Sequence, residues 1–140
     1  MSLQRASDVA LSALEVQRAR MELIASNLAN ARTTRTPGGG PYRRRLPVLE
    51  ATRFRRAEDS VAPWVRGVAV RQVTTDPRPF VYRYEPGHPD ADENGFVAYP
   101  NVDPAEEMVD MVIAARAYEA SVNVVKTVRA MNESALEMLG

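Results

Sequence analysis

The 140-residue sequence contains no cysteine. That excludes a disulfide framework, a thiol nucleophile and any cysteine-ligated metal site. Histidine occurs once, as His88 between Gly87 and Pro89. A lone loop histidine reads as solvated surface, and no serine or aspartate motif supplies it with triad partners. Lys126 is the only lysine, so nearly all positive charge is arginine. No apolar run approaches the roughly 18 residues needed to span a bilayer. The opening Met1-Ser2-Leu3-Gln4-Arg5 lacks the basic start and apolar run of a secretory signal. By these absences alone the protein would be placed in the cytoplasm, without membrane insertion, small-molecule substrate or cofactor. No set of residues forms a credible catalytic site, so an enzyme is not expected.

What is present suits one folded domain. The chain is 45% hydrophobic and 26% charged, which argues against wholesale disorder. Its formal net charge is zero, giving no global attraction to nucleic acid or anionic lipid. The charges are nevertheless segregated. Between Arg32 and Arg56 eight arginines face the single acid Glu50, and between Glu85 and Glu119 nine acids face the single base Arg116. Such a chain either attracts copies of itself and its relatives or pairs its own charges internally.

Residues 1–34 read as one helix. Leu14, Gln17, Met21, Ile24 and Leu28 alternate three and four apart, with Leu3, Ala6, Ala10 and Ala13 extending the stripe backwards. Thr33 and Thr34 suggest fraying, and Pro37-Gly38-Gly39-Gly40-Pro41 ends any helix. Residues 103–140 read as a second. Asp103 suits the N-cap, Pro104 the first helical position and Glu106 the third, a capping-box pattern with aspartate leading. Met108, Met111, Ala115, Tyr118, Val122 and Val125 then keep the spacing, and Ala135 and Leu139 resume it. Patterns this long suggest an antiparallel coiled coil.

The middle, residues 35–102, holds every proline but Pro104 and every glycine but Gly140. Alternation at Val68, Val70 and Gln72, with Phe80–Tyr84 and Phe96–Tyr99, predicts three short strands and a small antiparallel sheet. The expected fold is therefore mainly α: two long terminal helices joined by a loop-rich middle. Such helices lack a core large enough for both stripes, and surplus stripes are the mark of an assembly subunit. A self-sufficient helical hairpin with a β insertion is the alternative.

Three motifs invite other functions. Asp90-Ala91-Asp92-Glu93-Asn94-Gly95 matches the first half of a calcium loop, but the twelfth position, which should be glutamate, is Asn101. The alternative is an Asx-type turn. Arg43-Arg44-Arg45 with Tyr42 and Phe54 resembles a nucleic-acid patch, without any accompanying nucleic-acid motif. Gly38-Gly39-Gly40 follows a helix and lacks the trailing residues of a phosphate loop.

The run Gln17-Arg18-Ala19-Arg20-Met21, then Ile24-Ala25-Ser26-Asn27-Leu28-Ala29-Asn30, resembles the N-terminal signature of the flagellar axial rod/hook protein family. Thr33-Thr34-Arg35-Thr36, Gly39–Arg44, Pro86–Asp92, Gly95–Val102, Glu106–Met111 and Arg116–Ala120 extend the likeness in order, toward its proximal-rod branch. The resemblance implies a structural subunit of the proximal rod, the drive shaft that transmits torque across the periplasm. It implies export by the flagellar type III apparatus without a cleavable signal. The implied partners are other rod proteins, copies of itself and export-gate or adaptor components, with no nucleic acid.

Carried over as packing positions are Gln17, Asn27, Leu28, Asn30, Glu107, Met108, Arg116 and Tyr118. The chain departs from the pattern at Val16, where a small residue is expected. A basic loop meeting the acidic start of a neighbour's second helix is a further expectation, tested by reversing Arg43, Arg44 and Arg45. So is a pair of terminal helices that order only on assembly.

Overall fold

The computed structural model describes residues 3–53 and 65–139. Phe54 lies outside them. Helix α1 spans Leu3–Ala29 and helix α2 spans Pro104–Leu139. Between them run β1 (Arg45–Thr52), β2 (Gly67–Thr75), β3 (Val81–Tyr84) and β4 (Phe96–Tyr99).

Helix α1 closes earlier than the expected residue 34. Asn30 donates from Nδ2 to the Ser26 carbonyl at 2.9 Å and accepts from Thr33 Oγ1 at 3.1 Å, so its side chain turns the chain away. Helix α2 opens as its sequence predicts: the Ala105 N–H donates to Asp103 Oδ1 at 2.9 Å. The second half of the box differs. Glu106 accepts instead from Arg78 Nη1 at 3.2 Å.

The middle forms two separate two-stranded antiparallel ribbons, β1–β2 and β3–β4, rather than one three-stranded sheet. The strand not foreseen is β1, hidden by Pro47 and by the arginines before it. Proline is tolerated because each strand of a two-stranded ribbon is an edge. Pro47 faces Val73, and the register slips between Val48 and Leu49. The ribbon lies on α1, where the Val68 N–H donates to Ser12 Oγ at 3.2 Å. In the second ribbon Gly95 makes the turn at φ +81°. A Cβ there would stand 2.9 Å from the Tyr84 ring.

The helices pack antiparallel, with the end of α1 beside the start of α2. The core they enclose is thin: Ala10, Val16 and Ile24 from α1, and Ala114, Val125 and Val128 from α2. The buried face of α1 keeps Ala10 and Ile24 of the expected stripe but turns toward Val16 and Asn27, about a sixth of a turn away. Val16 lies at its far edge, 2% exposed, while Leu14, Met21 and Leu28 lie half-buried on the opposite flank.

Candidate functional site

The most deeply enclosed side chains include two polar ones, Asn27 at 1% exposure and Glu107 at 0%. Burying such groups is tolerable only with every hydrogen bond made, and here they are. Asn27 Nδ2 donates to Glu107 Oε2 at 3.1 Å and to the Arg45 carbonyl at 3.0 Å. Its Oδ1 accepts from the Tyr42 hydroxyl at 2.9 Å and the Arg45 N–H at 3.0 Å. The other Glu107 oxygen accepts from Arg44 Nε.

Arg44 is the hub. Extended chain alternates its side chains, so Tyr42 and Arg44 turn inward while Arg45 turns out. The guanidinium reaches Asp110 at 3.1 Å, Asp76 at 3.5 Å and Glu106 at 3.6 Å. Burial works against its charge, but bonding to Glu107, the charges of Glu107 and Glu106, and the bond to Asp76 outweigh that and hold its pKa above the ordinary value. Asp76 is balanced the same way. Burial pushes its carboxyl up, while the Arg78 N–H and guanidinium and Arg44 hold it below the usual range. Asn101 closes the knot, accepting from the Arg44 N–H at 2.9 Å and donating to the Asp76 and Arg78 carbonyls at 3.1 and 2.9 Å.

This answers one question left by the segregated charges. At Arg44 the basic loop meets the acidic start of α2 of its own chain. Arg43 is also engaged, donating to the Asp76 and Arg78 carbonyls at 3.0 and 2.9 Å and lying over the Phe80 ring at 4.1 Å. Reversing all three arginines would therefore break the fold before it tested an interface. The same geometry removes the middle of the supposed nucleic-acid patch.

The calcium-like loop is likewise committed. Asp90 accepts from Thr34 Oγ1 and pairs with Arg35, both at 2.7 Å. Asp92 Oδ1 accepts from the Asn94 and Phe96 N–H groups at 2.9 and 2.8 Å, an Asx turn. His88 Nδ1 accepts from the Asp90 N–H at 3.0 Å. Among the described residues no three His, Asp or Glu side chains cluster to hold a metal.

The remaining sequence-derived positions fall into two groups. Gln17, Met111, Ala115, Tyr118 and Val122 are half-buried along the helix pair, and Val125 is buried. Met108 and Arg116 point outward, Arg116 pairing with Glu119 at 3.2 Å. Met108 belongs to an outward ridge with Val109, Val112 and Ile113, each more than half exposed. Tyr42, Arg44, Asp76 and Asn101 were not singled out for the knot by sequence. Tyr42 and Arg44 entered the sequence reading as part of the nucleic-acid patch.

Two family profiles match the chain. The one described as "Flagella basal body rod protein" covers residues 8–35. The one described as "Flagellar basal body rod FlgEFG protein C-terminal" covers residues 93–138. The chain is 39% identical to the flagellar basal-body rod protein FlgC of Borreliella burgdorferi over 152 residues, 99% of each chain. It is 41% identical to the FlgC of Agrobacterium fabrum, over 98% of this chain and 95% of that one. With the FlgC of Salmonella typhimurium it shares 40% identity over 94% and 93%.

Proposed function

The chain belongs to the FlgC family of flagellar basal-body rod proteins, and we propose that it builds the proximal rod by completing its helix burial on neighbouring subunits. It is a structural subunit of the flagellar basal-body rod. The observation that carries the assembly reading is the outward ridge of α2, where Met108, Val109 and Val112 are each 60% exposed and Ile113 is 52% exposed. A contiguous apolar strip of this kind on a water-facing helix calls for a partner.

The lengths of the helices add a second support. Helix α1 has 27 residues and α2 has 36, about 40 and 54 Å. With Asn27 beside Glu107, Leu3 lies near Met131. Beyond that point residues 132–138 are exposed apart from half-buried Ala135. Among the described residues the last two turns of α2 thus run past α1.

In this reading residues 1–34 and 103–140 form the inner helical unit and residues 35–102 pack outside it. Gln17, Leu28, Met108, Arg116 and Tyr118 serve packing within and between subunits, and Asn27, Asn30 and Glu107 hold the subunit's own shape. The protein leaves by flagellar type III export without a cleavable signal, meets export-gate or adaptor components, and transmits torque across the periplasm. It acts with other rod proteins and with copies of itself.

An in-frame deletion in the source bacterium, scored by swimming and by electron microscopy of the envelope, tests this. Loss of rods, hooks and filaments, restored by the wild-type chain, is expected. Intact swimming flagella with no duplicate gene would overturn it.

A further inference from the structure

Small side chains facing each other across a helix pair ordinarily let the two backbones close together. Midway along this pair they do not. Ala6, Ala10 and Ala13 of α1 face Ala120 and Ser121 of α2 across an open groove of about 570 Å³. Val124 also lines it, yet is 46% exposed. Among the described residues the helices contribute one polar side chain to the groove, that of Ser121. Its hydroxyl donates to the Ala117 carbonyl at 2.9 Å, so the oxygen keeps capacity to accept.

Val65 and Arg66 complete the groove wall. They are the return end of the connection between β1 and β2, whose last strand pair is Thr52 with Gly67. Residues 53–66 are far more chain than the roughly two to five that close a hairpin. The sequence of this connection is divided. Arg55-Arg56-Ala57-Glu58-Asp59-Ser60 is mostly charged, whereas Val61-Ala62-Pro63-Trp64 is apolar and runs directly into Val65. Trp64 is the only tryptophan in the protein.

We propose that this groove is the seat of the chain's own segment 61–64, with the Trp64 indole as its occupant. The chemistry of the two matches. An indole is a large apolar body with a single N–H donor. The groove is an apolar trough with one hydroxyl acceptor, at Ser121. Reach is no obstacle, because the Trp64 Cα is one peptide, about 3.8 Å, from that of Val65 in the groove wall. The small side chains supply the room, and the indole covers Val124. The contact ties the β1–β2 connection across both helices, at a distance from the Asn27–Glu107 knot. It also closes this face of the helix pair from within, which leaves the α2 ridge as the apolar surface open to other chains. The inference concerns the subunit alone and stands apart from the rod reading.

A sole tryptophan is its own probe. In the dilute, monodisperse full-length chain its fluorescence is expected to be blue-shifted from that of the urea-unfolded chain, with several-fold weaker quenching by acrylamide. Emission and quenching equal to those of the unfolded chain would overturn the proposal. Ala13→Leu and Ala120→Leu narrow the groove from opposite walls. Each is expected to shift the emission to the red and restore quenching while helical circular dichroism is retained. Blue-shifted emission unmoved by either would place the indole elsewhere and overturn the proposal. So would a blue shift that fades on dilution in step with dissociation seen by sedimentation, since Trp64 would then sit in a second copy. Should both leucine variants fail to fold, the natural absence of cysteine allows a second test. Trp64→Cys with Ser121→Cys is expected to oxidise to an intramolecular disulfide in the monomer. Free thiols alone, or dimers alone, would overturn the proposal. The rod assignment is decided separately, by the deletion strain.

Discussion

Asn27 and Glu107 are 80 positions apart in sequence and touch through one hydrogen bond of 3.1 Å in the interior. Neither is dispensable, because each leaves a buried partner behind. Glu107→Ala strands the Arg44 guanidinium with weaker partners and is expected to lower unfolding free energy by about 3–5 kcal/mol. Asn27→Ala removes the Asn27 partner of the Arg45 N–H, the Arg45 carbonyl and Glu107 Oε2 and leaves the Tyr42 hydroxyl only its 3.4 Å contact with Ser26 Oγ, for about 2–4 kcal/mol. Urea denaturation of the purified chains measures both. Loss below about 1 kcal/mol for either would mean that water enters the knot freely.

Asp76 gives the knot a pH dependence. Its folded pKa lies below the ordinary 3.8, so acid protonates the unfolded chain first. The stability it contributes is complete above about 3.8 and is lost as pH falls through the lower folded value. Asp76→Asn is expected to be less stable at neutral pH, yet to lose less on going from about pH 5 to about pH 3 than the wild type does. Parallel acid slopes for the two chains would contradict this.

At the scale of the elements, both helices were legible because three-four periodicity and capping act within a few residues of each other. Their inward face was less so. A reading weighted by large apolar side chains favours Leu14, Met21 and Leu28, but the deep positions are Ala10, Val16, Ile24 and Asn27. Val16, an anomaly against the family pattern, is the best-buried apolar residue of its helix. Strand β1 and the knot were illegible for a different reason. What recruits Arg44, Asp76 and Asn101 is their meeting in space, and no local spacing encodes it.

The β3–β4 turn, by contrast, advertised itself through Gly95. Gly95→Ala combines a left-handed backbone with a Cβ driven against Tyr84 and Pro86. A cost above about 1 kcal/mol is expected. Gly87→Ala, where a Cβ meets nothing within 4 Å, should be within about 0.5 kcal/mol of wild type. Thermal melts of the two variants settle the contrast, and equal Tm values would refute the steric argument.

The whole molecule is built unevenly along its length. At one end the knot ties α1, both ribbons' connections and α2 together. At the other, among the described residues, α2 runs past α1. Hydrogen exchange on the dilute chain should therefore be slow around Ile24–Leu28 and Glu107–Ala114 and fast over 129–138, the latter slowing on assembly. Uniformly fast exchange over both helices would instead favour terminal helices that form only in the rod.

This gradient separates what folds the subunit from what assembles it, and that division is the central claim. Complementation of the deletion strain by Val112→Asp with Ile113→Asp tests it most directly, with the purified variant's denaturation measured alongside. Both side chains are more than half exposed, so stability within about 0.5 kcal/mol of wild type is expected per site. The same variant should fail to restore rods or swimming. Wild-type swimming from a chain carrying two aspartates on the ridge would contradict the account.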